Sequence, residues 1–184
     1  MIEFLPILAD KETKTFINAD LLPFVIENML LYKHRLFDDY YPLGAAELIN
    51  AILNDIKQLY PWFLVSKIDN EPAGAVWVSH WHGNSANYHS CQVHAFFIKK
   101  YWGKPAFNAA QAFLSILFNN YNLKRVQVEI PEFNNFALSF AERLGFVREG
   151  LIRNASLKNN KPVNHYLYSV LNNEFINFNP DNVL

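Results

Sequence analysis

A single cysteine, Cys91, stands in 184 residues. One thiol forms neither an intrachain disulfide nor a multi-cysteine zinc site, and that scarcity fits a reducing, cytoplasmic compartment. An excess of positive charge is also missing: 16 Lys and Arg face 17 Asp and Glu, giving a net charge of -1 and a pI near 6.6. This balance lacks the basic footprint of a duplex-binding protein, so nucleic acid is not an expected partner. No apolar run reaches the length of a membrane span, and the opening residues show no basic region leading into an apolar stretch. A soluble protein away from the membrane is therefore expected. Internal repeats and low-complexity linkers are absent, which predicts one domain over 1–184.

What the chain does have is core-forming material, with 51% hydrophobic residues, among them 16 Phe and nine Tyr. Scattered aromatics of this kind read as packing. A short strand is predicted at 3–8 and helices at 19–32 and 44–60. The second helix places Leu48, Ile49, Ile52, Leu53 and Ile56 on one face, with Asn50, Asn54 and Asp55 opposite. Strands at 62–68 and 73–81 flank Asp69-Asn70-Glu71-Pro72, a turn that makes an antiparallel hairpin. A polar loop at 82–90 leads to a strand at 92–98 and an apolar helix at 105–120. A strand at 123–130, a helix at 134–145 closed by Gly145, and strands at 146–154 and 164–171 complete the order. A parallel strand–helix–strand unit puts a ligand crevice at the carboxyl end of its first strand. That point is residues 99–104, Lys-Lys-Tyr-Trp-Gly-Lys, where a helix start can aim unpaired N–H groups at an anion.

Two stretches carry a family resemblance. Residues 98–110, "IKKYWGKPAFNAA", resemble the acetyl-CoA loop of the GCN5-related N-acetyltransferases (GNATs). Residues 134–154, "NNFALSFAERLGFVREGLIRN", with "NHYLYSVLNNEF" at 164–175, are similar to the C-terminal signature of the branch that acetylates ribosomal protein N-termini and related amines. The likeness covers roughly 62–174. It implies an α/β fold with a mixed, bent central sheet of about seven strands and flanking helices. It also implies acetyl-CoA as co-substrate and a primary amine as acceptor, either a small molecule or a protein N-terminus; a homodimer is compatible. Carried over by position, the pyrophosphate loop is 102–108, with Trp102, Gly103, Lys104, Ala106, Phe107 and Asn108. The backbone of Phe96, Phe97 and Ile98 would meet the pantetheine arm, and Asn134 would contact the cofactor after the following strand.

The chain departs from the pattern at Pro105, which has no N–H to offer where the family prefers glycine, and at Phe107, where the family keeps Gly or Ala. Lys104 and the amides of Ala106, Phe107 and Asn108 remain as anion donors. The relatives' tyrosine position falls on Phe140 and a small polar position on Ala137, neither of which can donate a proton. Gln92 stands at an often acidic position. His94, two residues on and so on the same strand face, is the candidate base, set against the reading of a pocket histidine without chemistry. Gln92, His80 and Glu129 are candidate acceptor contacts, and Glu132 is weighed beside Glu129 as a solvated charge or an amine-orienting group. His80 and His82, at strand spacing two, raise a metal site with His89 and His94. Zinc asks for three or four well-placed ligands, so no metal is expected. Cys91 reads as a buried, inert thiol. The alternative to the transferase is a catalytically silent GNAT-like binding module, of phage or mobile-element type, whose pocket Pro105 and Phe107 have closed.

Overall fold

The computed structural model describes residues 1–9, 16–40, 44–59, 63–84 and 87–177. It divides into two compact units, Met1–Val78 with His94–Ala109, and Ser79–Val93 with Ala110–Leu184. Among the described residues, no helix is long and apolar enough to cross a membrane. The predicted helix end at Tyr60 and strand start at Trp62 lie outside them.

In the first unit, β1 (Ile2–Pro6) is followed by the short β2 (Leu8–Ala9) and β3 (Phe16–Ile17), which pair with each other. Helices α1 (Leu22–Leu31), α2 (Lys33–Leu36) and α3 (Ala45–Gln58) follow. β4 (Phe63–Ile68) pairs antiparallel with β1 on one side and with β5 (Glu71–Asn84) on the other. The β4–β5 turn holds Asp69 and Asn70 at φ 50 and 66, the left-handed values of a tight hairpin turn, which Asp and Asn tolerate better than most residues. The stripe predicted for α3 is the one that is buried. Leu48, Ile52 and Ile56 pack with Val25 and Met29 of α1 against Phe63, Val65, Ala75 and Phe96. Each of the larger of these side chains, Ala75 apart, contributes about 1.5–3 kcal/mol when removed from water in this way.

β6 (Asn87–Phe97) has residues in both units; in the second, its Ser90 to Gln92 run parallel to Arg125 to Gln127 of β7 (Arg125–Pro131). A parallel neighbour requires a crossover, and α4 (Lys104–Asn120) supplies it. After α5 (Asn135–Arg143), β8 (Val147–Lys158) and β9 (Lys161–Leu171) form a hairpin around Asn159 and Asn160, both at positive φ; α6 (Asn172–Asn177) follows. β9 also pairs antiparallel with β7. The strand order is β1-β4-β5-β6-β7-β9-β8, so the mixed seven-stranded sheet with flanking helices is present as expected. The two halves of the C-terminal signature are tied by a hydrogen bond: the buried Tyr168 hydroxyl on β9 donates to Glu142 Oε1 of α5 at 2.9 Å.

One prediction is corrected. The polar loop at 82–90 is mostly strand, because β5 runs on to Asn84 and β6 starts at Asn87. His82, Gly83 and Asn84 are all exposed, so this part of the ladder has no core face and no alternation to read.

Candidate functional site

The strand end, turn and helix start at 98–108 belong to the first unit. Lys104 opens α4 and Gly103 precedes it at φ 85, a left-handed value suited to glycine; a Cβ placed there would meet nothing within 4 Å. The helix ladder begins where the Phe107 N–H donates to the Gly103 carbonyl at 3.0 Å. The amides ahead of that bond are those of Gly103, Lys104 and Ala106, since Pro105 has none. The expected donor set is thus corrected: the Phe107 amide is engaged inside the helix, Asn108 lies one step further into the ladder, and Gly103 takes a place in the set. Proline at the second helical position costs one donor and leaves the helix start intact.

Phe107 is 8% exposed. It lies on the same face of α4 as the buried Leu114 and Phe118, two and three turns on. Its ring is a core group of the helix.

Around this turn the first unit is strongly braced. The Trp102 indole N–H donates to the Phe97 carbonyl at 2.6 Å. The Lys99 N–H donates to the Tyr32 hydroxyl at 3.1 Å, the Tyr32 ring is 6.3 Å from that of Trp102, and the Arg35 guanidinium sits 5.5 Å over the indole. On the other side, Lys100 and Tyr101 both donate to Glu71 Oε2, tying the turn to the β4–β5 hairpin. The Lys100 ammonium and then the Tyr101 hydroxyl hold the Glu71 carboxyl below its usual range. Glu71 in turn raises both Lys100 and Tyr101. Among the described residues, Lys99, Lys104 and Arg35 have no carboxylate partner, so their charges are uncompensated. Ile98 donates its N–H to the Ala73 carbonyl at 2.9 Å and accepts from Tyr101 N–H at 2.9 Å, so it has no N–H left for an added strand.

His94 lies flat on Trp77, with ring centroids 5.3 Å apart and planes at 6°, and Trp77 stacks in turn on Phe63 at 5.2 Å. His80 has φ 49, a left-handed backbone value inside β5, and its Nδ1 meets Ser79 Oγ at 2.9 Å. Among the described residues, no three His, Cys, Asp or Glu gather as metal ligands.

The second unit presents a polar ladder along one sheet face. Gln127 Nε2 donates to Gln92 Oε1 at 3.3 Å, and Arg125 donates to Gln127 Oε1 at 3.3 Å. Arg125 grips both oxygens of Glu149 at 2.6 Å, and the Ser169 hydroxyl donates to Glu149 at 2.7 Å. This grip lowers the Glu149 carboxyl and raises Arg125. Gln92 is buried within the ladder. Beyond it, Glu129 Oε1 lies 2.7 Å from His165 Nδ1, and Ser156 Oγ lies 2.8 Å from His165 Nε2. Glu132 accepts from the Asn164 backbone and side chain at 3.2 and 3.0 Å. Asn134 caps α5 by accepting from Ala137 N–H at 3.2 Å, leaving its Nδ2 as the group available to a ligand. Cys91 is 1% exposed, and burial pushes its thiol up to about 12. Phe140 stacks with Phe136 at 6.5 Å.

Sequence reading missed Tyr32, Arg35 and Glu71, which reach the turn from distant segments with no motif of their own. It also missed His165 and Ser156. His165 sat in plain view inside the C-terminal signature, but its partners come from other strands.

The profile of the family described as acetyltransferase (GNAT) domain matches residues 19–147. The uncharacterized N-acetyltransferase p20 of Bacillus licheniformis is 27% identical over 78 residues; the match spans 42% of this chain and 44%, less than half, of that protein. Mycobacterium smegmatis RimJ, solved in complex with CoA-disulfide, superposes with a TM-score of 0.73 at 13% identity, covering 100% of this chain and 92% of its own. A GNAT-family acetyltransferase from Bacillus anthracis gives 0.71 at 17% identity, over 94% and 95%. At such identities the structures speak for the fold, and the profile match over most of the chain speaks for the family. The chain belongs to the GNAT acetyltransferase family.

Proposed function

We propose that this protein transfers an acetyl group from acetyl-CoA to a primary amine, as an enzyme of the cytoplasm related to the ribosomal-protein N-terminal acetyltransferases. The observation that carries the reading is the helix start at Gly103–Ala106. Three N–H groups precede the first helical bond, the glycine opens onto free space, and Lys99, Lys104 and Arg35 add positive charge with no carboxylate partner among the described residues. A helix N-terminus of this kind holds a diphosphate by direct donation and by its dipole. RimJ, with a similar fold, was captured with CoA-disulfide. Phe96 and Phe97 line the pantetheine arm in this reading, Trp102 and Asn108 flank the diphosphate, Asn134 contributes its Nδ2, and Gln92, His80 and Glu129 face the acceptor. The whole chain, 1–184, acts as one domain, since the family match runs through both units.

The chemistry asks for a neutral amine nitrogen to attack the thioester carbonyl carbon, breaking the C–S bond and releasing coenzyme A thiol. His94, stacked on the Trp77 ring, takes the ammonium proton in this reading. The silent binding module is not favoured, because Phe107 packs on the buried face of its own helix.

Thermal denaturation with coenzyme A tests the reading. Ligand at a hundredfold excess over Kd stabilises the native state by about 2.7 kcal/mol, so the midpoint rises by several degrees. Lys104→Ala reduces that rise, and added salt weakens binding of the polyanion. An unchanged midpoint in millimolar coenzyme A defeats the proposal.

A further inference from the structure

A guanidinium donates hydrogen bonds and accepts none, so a row of amides that starts from an arginine has its direction fixed. Such a row crosses the sheet of the second unit. Arg125 donates to both oxygens of Glu149 and, at 3.3 Å, to Gln127. The group that meets the guanidinium must accept, so Gln127 turns its Oε1 to Arg125 and its Nε2 to Gln92. Gln92 accepts with its Oε1, and its own Nε2 becomes the last donor of the row. Neither amide can turn over without setting two donors against each other.

The row is anchored on both sides. Glu149 is the residue left over where the register of β8 shifts between the Arg148–Tyr168 and Gly150–Leu167 rungs, and it also accepts from the Ser169 hydroxyl at 2.7 Å. Gln127 stands opposite Gln92 of β6 on one side and Ser169 of β9 on the other. A connected polar network of this kind holds its members in one arrangement.

Gln92 is 7% exposed, yet its Nε2 has no partner among the described residues. The side-chain atoms there that are both enclosed and unpaired are Ser66 Oγ and Asn172 Oδ1, so the Gln92 amide nitrogen still touches solvent. A carboxylate at this position would accept hydrogen bonds and attract a cation. The locked glutamine offers the opposite, an uncharged donor, and the ligand chemistry it matches is an oxygen acceptor.

We propose that Gln92 Nε2 is a specificity-determining donor for an oxygen atom of the acyl acceptor, a carbonyl or hydroxyl near the reacting amine, and that Arg125 and Gln127 are positioning residues that set its polarity. This role rests on the transferase reading. It selects oxygen-bearing amines over diamines, whose second ammonium sets N–H donors against the Gln92 N–H groups.

The full chain labelled with 15N-glutamine provides the test, with alaninamide as the oxygen-bearing amine and propane-1,2-diamine as its oxygen-free counterpart. Alaninamide shifts the side-chain amide signals of Gln92 saturably, and the diamine shifts them less. In thiol-release assays wild-type kcat/KM favours alaninamide by about a hundredfold, because a ligand without the oxygen leaves a built-in donor unpaired. Gln127→Glu keeps the shape of the row but offers Gln92 only acceptors, so the Gln92 amide turns over and presents its oxygen. The alaninamide to diamine ratio then falls by about tenfold or more, through loss of one and gain of the other. Gln92→Glu moves the ratio in the same direction by exchanging donor for acceptor. Taking ratios between variants cancels the intrinsic basicity of the two amines, and a merely structural role would lower both rates together. Gln92 signals that ignore alaninamide overturn the proposal, as does a ratio that stays the same in both variants. A wild-type protein that binds coenzyme A but acetylates the diamine as well as alaninamide overturns it too and leaves the transferase reading intact. A wild-type protein whose Gln92 responds to alaninamide but which fails to bind coenzyme A removes the transferase reading and leaves the oxygen site standing.

Discussion

Burial of the Tyr168 hydroxyl gives Glu142, a solvent-facing residue, its structural weight. Tyr168 is 1% exposed, and burial first, then the Glu142 carboxylate, raises its phenol above the usual range. A hydroxyl enclosed like this costs about 1–3 kcal/mol when its partner is removed, whereas loss of both partners together is nearly neutral. Glu142→Ala is therefore expected to destabilise the protein by about 2 kcal/mol in urea denaturation, and by close to zero in a Tyr168→Phe background. Additive losses would show that the bond carries no coupling. The same logic explains why Glu142 reads in sequence as a family mark without chemistry: its partner lies 26 positions on, and only the folded chain reveals that the two halves of the signature meet.

Helices and core strands were legible because their apolar spacing repeats over several turns, as Leu48, Ile52 and Ile56 do. The turn and helix start at 99–105 were legible because Gly103, Lys104 and Pro105 each constrain a helix start. Two glycines show what was legible and what was not. Gly103 is required by its dihedral, φ 85, and has open space around it. Gly74 is required by room: a Cβ there would stand 2.1 Å from the Phe96 carbonyl oxygen and 2.9 Å from the Phe97 Cα, a contact between β5 and β6 that no local pattern announces. Their alanine variants should differ accordingly. Gly103→Ala forces a side chain into left-handed backbone at a cost of about 1–2 kcal/mol. Gly74→Ala pushes the backbone of Phe96 and Phe97 aside, costing about 1–3 kcal/mol or more, and lowers coenzyme A affinity because those residues line the proposed arm site. A Gly74→Ala protein with native stability and native coenzyme A binding would mean β6 shifts without consequence. The register shift between β8 and β9, where residues 153–155 stand against Asn164 alone, escaped reading for a related reason, since register shifts are written in the pairing of two strands and in neither alone.

At the scale of the molecule, near-zero net charge leaves pH dependence to a few groups held away from their ordinary values. On the acid side these are Glu71 and Glu149, lowered by Lys100 and Arg125. A lowered carboxyl adds stability above its unfolded pKa, about 4.3, and that contribution fades as pH falls through the folded value. On the alkaline side the main group is Cys91, whose thiol burial moves from 9.0 up to about 12. Below pH 9 both states keep the proton and nothing is lost. Above it the unfolded chain ionises while the folded one does not, so unfolding releases a proton and stability falls by about 1.4 kcal/mol per pH unit until the folded pKa is reached. Cys91→Ala carries a constant packing cost but lacks this slope. The wild-type advantage over Cys91→Ala at pH 7.5 should thus shrink by about 1.4 kcal/mol at pH 10, measured by urea denaturation at both values. The same burial predicts that the folded protein resists iodoacetamide at pH 8 and reacts only once unfolded, since the thiolate is the nucleophile. Rapid alkylation of the native chain, or a stability difference that stays flat between the two pH values, would place the thiol in water.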